Sequence, residues 1–367
     1  MTPRPAVSGI DITGTAQHDA WRRGVLPPVE QVRPGLWSVP VPIPHNPLRY
    51  TLCYAFTGDA GAVVVDPGWD TADGRQAVAA GLAVAGAAVR DVAGVVVTHI
   101  HPDHHGLSGW LREESGAWIA MHPVEAETLP GRLWRQSRGG TNEDWLRSHG
   151  VPDDVRDALS PDPQRIAEVL RMAEPDRYLG DGDRVPMAGR DVRAIWTPGH
   201  TPGHLCLHDA AAGILLTGDH LLPRISPNIG MDVGRAGDPL TAYLASLDAT
   251  VSFRADEALP AHEYRFRRID IRVADLIAHH QERGAEILRA VDRLAQPTAW
   301  AIAAELTWSR GWAALHGMMR RMALAETLAH LQHLVTTGDL APATGMPLVW
   351  RRSGAMQVRR PGRADLT

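Results

Sequence analysis

The chain contains no lysine: all 37 of its basic residues are arginine. That absence removes several chemistries together. No phosphate-binding loop can place its lysine, no Schiff base can form on a side-chain amine, and no lysine can serve as a general base. Cysteine is almost as scarce. Cys53 and Cys206 are the only two, each inside an apolar, strand-like stretch, so a disulfide framework is excluded and a thiolate metal site is not expected. No apolar run approaches the roughly 20 residues needed to span a bilayer. The opening Met-Thr-Pro-Arg-Pro leads into a polar stretch without a signal-type apolar core, so a cytoplasmic protein with no membrane contact is expected. A net charge of −5 carries no global basic footprint for nucleic acid.

What remains is ordinary for a globular enzyme. An apolar fraction of 44% suffices for a sizeable core, and 367 residues allow more than one domain. Residues 1 to about 33 read as an arm over the body. Strand-like runs follow at Leu36–Val41, Thr51–Phe56 and Ala62–Asp66, then an alanine-rich helix over Thr71–Ala87 and a third apolar run, Ala93–Thr98. Gly106–Glu114 reads as a helix and Ala117–Met121 as a strand, an alternation of α/β character. The stretch Pro123–Gly182 is charged and tryptophan-bearing, with helical spacing over Asn142–Leu146 and Pro163–Ala173. It reads as a helical insertion, either a lid or the contact of a homodimer. Strands return at Asp191–Trp196, Leu205–His208 and Gly213–Leu216. After His262 the pattern turns helical over Ile269–Leu294, Ala299–Leu306 and Met322–Thr336, before a Gly338-Asp339 turn and the short run Pro347–Trp350. Arginines outnumber acids in this tail and the reverse holds before it, which places a boundary near Arg265: residues 1–265 form one unit and 266–367 another.

The densest chemistry lies in Thr98-His-Ile-His-Pro-Asp-His-His-Gly106, between a buried-strand run and a helix. Three imidazoles and one carboxylate within residues 99–104 are costly to keep unless something binds them, and borderline cations such as zinc take these donors. His99 and His101 lie two apart, so an extended backbone sends both rings to one side. Asp103 and His104 follow the turn and can serve a second position. Further pieces sit at element ends: Thr197-Pro-Gly-His-Thr-Pro-Gly-His204, Leu215-Leu-Thr-Gly-Asp-His220 and Leu259-Pro-Ala-His-Glu-Tyr264.

Taken in this order, His99, His101, Asp103, His104, His200, Asp219 and His262 resemble the signature of the metallo-β-lactamase superfamily, over roughly residues 35 to 265. The resemblance implies an αββα sandwich with metals held by loops along one edge. It implies two divalent cations, zinc foremost with iron or manganese as alternatives. His99, His101 and His200 would hold the first, Asp103, His104 and His262 the second, and Asp219 would bridge them. Asp66, in Val65-Asp-Pro-Gly68, matches an early acidic position that supports the site, against the plainer reading of a turn aspartate. The implied activity is hydrolysis by a hydroxide held between the cations, with Asp103 as the catalytic residue that orients it or accepts its proton.

Other histidines have plainer readings. His105 is expected in solvent or at a helix cap. His204 and His220 could support the site or touch substrate, while His122, His208, His279, His280, His316, His330 and His333 read as packing or surface residues. Trp134 and Trp145 are candidates for an apolar substrate wall.

For the substrate, the Pro-Gly-His-Thr-Pro-Gly-His and His-Glu-Tyr segments resemble the glyoxalase II branch, which cleaves thioesters. That branch holds glutathione partly through lysine, which this chain lacks, so the expectation is a small-molecule thioester, ester or lactone. The tail resembles a winged-helix unit, found on lactamase-β-like-2 relatives that cut single-stranded RNA. Against an RNA substrate stands the acidic body, since phosphate backbones favour basic surfaces. A mononuclear iron dioxygenase and a DNA-binding protein without catalysis are the remaining alternatives.

Overall fold

The computed structural model describes residues 9–129, 142–160, 172–187, 189–231, 233 and 237–354. Strand β1 (Asp11–Ile12) and helix α1 (Thr15–Arg23) lead into a seven-stranded sheet: β2 (Glu30–Arg33), β3 (Leu36–Pro42), β4 (Tyr50–Gly58), β5 (Gly61–Val65), β6 (Val92–Val96), β7 (Trp118–Met121) and β8 (Arg177–Tyr178), neighbours in that order. Short turns join β2 to β5, and these strands are antiparallel. Helix α2 (Ala72–Val84) then carries the chain across from β5, and α3 (Pro102–His105) and α4 (Ser108–Ser115) carry it from β6. Such crossovers return the chain in the same direction, so β5 through β8 are parallel.

Beyond β7 come α5 (Pro123–Glu127), α6 (Asn142–Ser148) and α7 (Asp153–Arg156). The second sheet follows, built from β9 (Val192–Trp196), β10 (Leu205–Asp209), β11 (Ile214–Gly218), helix α8 (Pro239–Ser252), β12 (Glu257–Pro260) and β13 (Phe266–Arg267). Its strand order is β1-β13-β12-β11-β10-β9, with β11 and β12 parallel because α8 connects them. Nothing in the sequence reading anticipated α8, although Asp238 caps it through Thr241 N–H and Pro239 opens it, a recognisable start signal.

Side-chain alternation explains the layering. On β4, Tyr50, Leu52, Tyr54 and Phe56 enter the core shared with Leu205, Leu207, Ile214 and Leu216 of the facing sheet. Cys53 and Ala55 of the same strand point the other way, against Val78 and Leu82 of α2 and Leu111 of α4. On the far side, Tyr243 and Leu247 of α8 cover the second sheet at Ala258 and Phe266. Helices therefore flank both sheets. The arm is tied on by Gln17, which donates to Ser38 and accepts from the Arg265 backbone N–H.

The remaining elements are α9 (Ile269–Arg293), α10 (Ala299–Glu305), α11 (Gly317–Thr336) and a two-stranded sheet of β14 (Leu340–Ala343) and β15 (Val349–Arg352). The first half of α9 packs on the second sheet through Val273 and Leu276, while Ile287 and Val291 belong to a separate core. Leu146, Val151 and Leu159 of the middle segment join that separate core. The segment thus leans on the C-terminal helices. Trp145 packs there too, with the Arg321 guanidinium over its ring at 4.9 Å. Trp134 and most of the expected helix Pro163–Ala173 lie outside the described residues.

Candidate metal centre

The chemistry collects where the parallel pairs β5–β6 and β11–β12 end. Asp66 follows β5, the His99–His104 motif follows β6, Asp219 follows β11 and His262 follows β12, while His200 comes from the β9–β10 loop. Pro102 starts α3 within the motif and turns Asp103 and His104 away from the strand direction. Asp66 itself sits at φ 51, a left-handed conformation that aspartate tolerates better than most residues. Gly218, at φ 49, is closely surrounded. A Cβ there would meet His204 Nε2 at 2.7 Å and Thr98 Oγ1 at 2.9 Å, so only glycine lets Asp219 reach the site.

The structure brings all seven sequence-predicted residues together. His99, His101 and His200 converge, with His99 Nε2 2.9 Å and His200 Nε2 3.1 Å from His101 Nδ1. Asp103, His104 and His262 form a second group, in which Asp103 Oδ2 lies 3.5 Å from His262 Nε2 and 3.8 Å from His104 Nε2. Asp219 stands between them: Oδ1 is 3.2 Å from His262 Nε2 and 3.6 Å from His104 Nε2, and Oδ2 is 3.7 Å from His200 Nε2. Within each of the trios His99–His101–His200, His99–His104–Asp219 and Asp103–His104–His262, the donor atoms lie within 4.8 Å of one another. These His and Asp clusters fit a metal site. All are buried except His101, which is half-exposed and marks the open side.

The other ring nitrogens are held from behind. His200 Nδ1 meets the Asn228 carbonyl at 2.8 Å and His262 Nδ1 the Tyr50 carbonyl at 2.9 Å; a carbonyl only accepts, so both rings carry their proton on Nδ1. Asp66 extends the same logic through a relay. Its Oδ1 accepts Thr98 N–H, and its Oδ2 accepts both the Thr98 hydroxyl and His104 Nδ1–H, at 2.7 and 2.9 Å. With its own proton committed to Asp66, Thr98 Oγ1 accepts from His99 Nδ1 at 3.1 Å. With Nδ1–H held in this way, Nε2 of His99, His104, His200 and His262 is the nitrogen that faces inward, and its lone pair is the one a metal would take.

Three buried atoms at the centre, His104 Nε2, Asp219 Oδ1 and His262 Nε2, make no hydrogen bond of good geometry, although Asp219 Oδ1 and His262 Nε2 stand 3.2 Å apart. Such orphans are costly, and a cation coordinated by them removes the cost. The electrostatics agree. Burial alone would strip His104 of its proton, yet Asp219, Asp103 and Asp66 outweigh it and raise this imidazole to about 10. His262 is raised against the effect of burial by Asp219 and Asp103. Burial works in the usual direction on the three-histidine side, pushing His101 down to about 3 and His99 well below its ordinary value, with neighbouring imidazoles adding to it. One half of the site thus asks for positive charge, and the other presents neutral donors to it.

Several residues support the site from outside the seven, and His204 and His220 were among the histidines expected to support it or touch substrate. His204 accepts the Asp219 backbone N–H through Nε2 at 3.2 Å while Thr197 Oγ1 meets its Nδ1 at 2.8 Å, so it shapes the Asp219 turn. His220 is buried against Thr250 and Tyr243 on the α8 side. His105, expected in solvent or at a cap, is fully buried; its ring bonds Ser108 Oγ and the Ala173 carbonyl, which ties α3 to the end of the middle segment. His122 stacks on Trp196 with ring centroids 5.0 Å apart. Glu125 of α5, also fully buried, accepts from two ligand-loop amides, those of Ile100 and Gly203. Asn228 joins the site to the C-terminal helices, since its side-chain amide lies 3.3 Å from Glu326 Oε2 of α11. Glu125 and Asn228 were not singled out by the sequence; the one signal for Glu125, an acid in the first turn after His122-Pro123, is shared by ordinary helix starts.

The metallo-beta-lactamase superfamily profile matches residues 46–262, and the chain belongs to that superfamily. It is a metallo-hydrolase by class. Over most of its length it is similar to a metallo-beta-lactamase family protein of Thermus thermophilus, whose crystal structure superimposes with a TM-score of 0.74 at 32% identity, covering 88% of this chain and 100% of that one. Among curated relatives it is 25% identical to the probable metallo-hydrolase YqjP of Bacillus subtilis, over 81% of this chain and 91% of YqjP. It is 35% identical to the human acyl-coenzyme A thioesterase MBLAC2 over 128 residues, which are 34% of this chain and 39% of the thioesterase. Among the described residues no helix is long and apolar enough to cross a membrane.

Proposed function

We propose that this chain is a binuclear metal-dependent hydrolase of a small-molecule thioester, with esters and lactones as chemically adjacent substrates. The observation that carries the reading is the trio of buried atoms without a hydrogen bond of good geometry, His104 Nε2, Asp219 Oδ1 and His262 Nε2, inside a ring of oriented donors. His99, His101 and His200 would hold one cation, Asp103, His104 and His262 the other, and Asp219 both. Zinc suits this imidazole and carboxylate set, with iron and manganese as alternatives. When bound, two such cations supply an activated water and Lewis-acid polarisation of the acyl carbonyl.

The chain's own residues do the rest. Asp66 and Thr98 keep His99 and His104 in the tautomer that leaves Nε2 unprotonated. The Asp103 carboxylate, whose backbone carbonyl accepts the Thr51 hydroxyl at 2.8 Å, stands where it can orient the attacking water and hold its proton. His101, on the half-exposed side, marks where the acyl group enters. The likeness to an acyl-coenzyme A thioesterase supports a thioester over other acyl compounds. Residues 1–265 as the catalytic unit and 266–367 as a winged-helix-like unit is the division we propose, supported by the separate core of the second half of α9 with α10, α11 and the β14–β15 pair, while β13 and the first half of α9 pack with the second sheet.

The test is a hydrolysis screen of protein loaded with zinc, iron or manganese against acyl thioesters, lactones and single-stranded RNA. Thioester cleavage that chelation abolishes and metal restores is the expected result. Loaded protein that leaves every thioester, ester and lactone intact, or that consumes oxygen with one iron per chain, overturns the reading.

A further inference from the structure

Glu125 lies outside the ligand set, yet its carboxylate is fully buried and aimed at the site. Oε1 accepts the Ile100 backbone N–H at 2.9 Å, and Oε2 accepts the Gly203 backbone N–H at 2.7 Å. Ile100 sits between His99 and His101, and Gly203 lies three residues after His200. One carboxylate therefore spans the two loops that carry the three-histidine group. Its bonds are charge-assisted and short, the strong kind in a buried setting.

The surroundings are built for this contact. A Cβ on Gly203 would fall 2.3 Å from the Glu125 backbone nitrogen, so the loop and α5 approach as closely as glycine permits. His122, at the start of α5, stacks on Trp196, and Trp196 Nε1 donates to the Pro202 carbonyl at 3.0 Å. Helix α5 is thus fastened to the His200 loop through Trp196 and Pro202, next to Gly203.

We propose that Glu125 is a positioning residue for the cation held by His99, His101 and His200: it sets the spacing of the two loops and places a negative charge behind that cation alone. The inference rests on the two-cation reading above. Glutamine in place of Glu125 fills the same space but offers one acceptor and an NH2, which must face a backbone N–H donor to donor. One amide then loses its partner and the charge is gone.

The experiment separates the two metal positions. His262→Ala leaves the three-histidine group as the intact one, and His200→Ala leaves Asp103, His104 and His262. Zinc affinity of each, measured by chelator competition, is compared with and without Glu125→Gln. The substitution is expected to weaken binding about 10- to 100-fold in the His262→Ala protein and by no more than about twofold in the His200→Ala protein. Equal losses in both, or none in either, overturn the proposal. Glu125→Asp, which keeps the charge but reaches one amide, is expected to recover part of the loss. A metal-free melting temperature about 10 °C or more below wild type in both Glu125 variants, with no difference between the two positions, makes the residue one of folding only and also overturns it. The parent chain binding fewer than two cations is a separate outcome: it refutes the binuclear reading, while the effect of Glu125→Gln on the three-histidine cation still decides this proposal.

Discussion

Replacing Asp66 by asparagine is expected to do more harm to metal binding than replacing it by alanine, although asparagine fits the fold better. The backbone explains the second half of that statement. At φ 51, asparagine is tolerated, whereas alanine is strained by about 1–2 kcal/mol. Alanine also leaves Thr98 N–H, the Thr98 hydroxyl and His104 Nδ1 without their acceptor, each at about 1–3 kcal/mol when buried. Metal-free Asp66→Ala should therefore be less stable than Asp66→Asn. For the metals the order reverses. Thr98 N–H can only donate, so the asparagine oxygen must stay on it, and the NH2 must face Thr98 Oγ1 and His104 Nδ1. His104 Nδ1 becomes an acceptor and its proton moves to Nε2. The Thr98 hydroxyl, now receiving a bond, turns its proton to His99 Nδ1 and does the same to His99. Both rings present N–H where a lone pair is needed. Loss of an outer partner of this type weakens metal binding about 10- to 100-fold, or about 1.4–2.7 kcal/mol, at each position. Alanine imposes no tautomer and should stay nearer to wild type. Zinc competition against a chromophoric chelator, together with melting curves of metal-free protein, gives both orders. Asp66→Asn binding two cations as tightly as wild type, or more tightly than Asp66→Ala, would show that the hydrogen-bond relay does not govern the tautomers.

Asp219→Asn should reduce metal content from about two ions per chain towards one and slow hydrolysis at least about 100-fold, since it removes the carboxylate between both groups; unchanged elemental analysis with full turnover would refute the bridge. A pH effect is expected outside the seven candidate metal ligands. Burial, with neighbouring His and Arg charges adding to it, pushes His280 down to about 2, while burial pushes His330 down to about 3 with Arg283, His279 and His333 reinforcing it, so both stay neutral in the fold. Unfolded histidine titrates near 6.5, so the stability of this pair is complete above that pH and is lost as pH falls towards 3, at about 1.4 kcal/mol per unit for each ring. Metal-free protein carrying His280→Gln and His330→Gln should lose about 2–4 kcal/mol less than wild type between pH 7 and pH 5 in urea titrations. An identical pH dependence in the two proteins counts against burial of neutral rings.

The candidate donor set was legible because its members sit at strand ends with fixed local spacing, and a dense run of histidine and aspartate is readable without knowing the fold. The strand runs were legible for a similar reason: β4 alternates large and small apolar residues, and its Cys53 reads as buried in either register. His105 was misplaced because adjacency in sequence says nothing about direction once a helix begins. The carbonyl of Ala173, which satisfies its buried ring, is 68 residues away. The neighbour of Trp145 was not legible, because a tryptophan in an insertion has the same local pattern whether it faces a cleft or a helix, and here Arg321 of α11 lies over its ring.

Local chemistry alone determined which donors this protein has, and the missing lysines and paired cysteines determined which mechanisms it cannot use. The tertiary structure decided how those donors are oriented. Tyr50 O behind His262, Asn228 O behind His200 and the Asp66–Thr98 pair behind His99 and His104 come from elements distant in the chain or from backbone atoms common to every residue. A backbone carbonyl leaves no mark in a sequence, yet it fixes which nitrogen of an imidazole carries the proton. The same holds for Glu125, whose side chain becomes a clamp only when α5 is packed against the loop at Gly203.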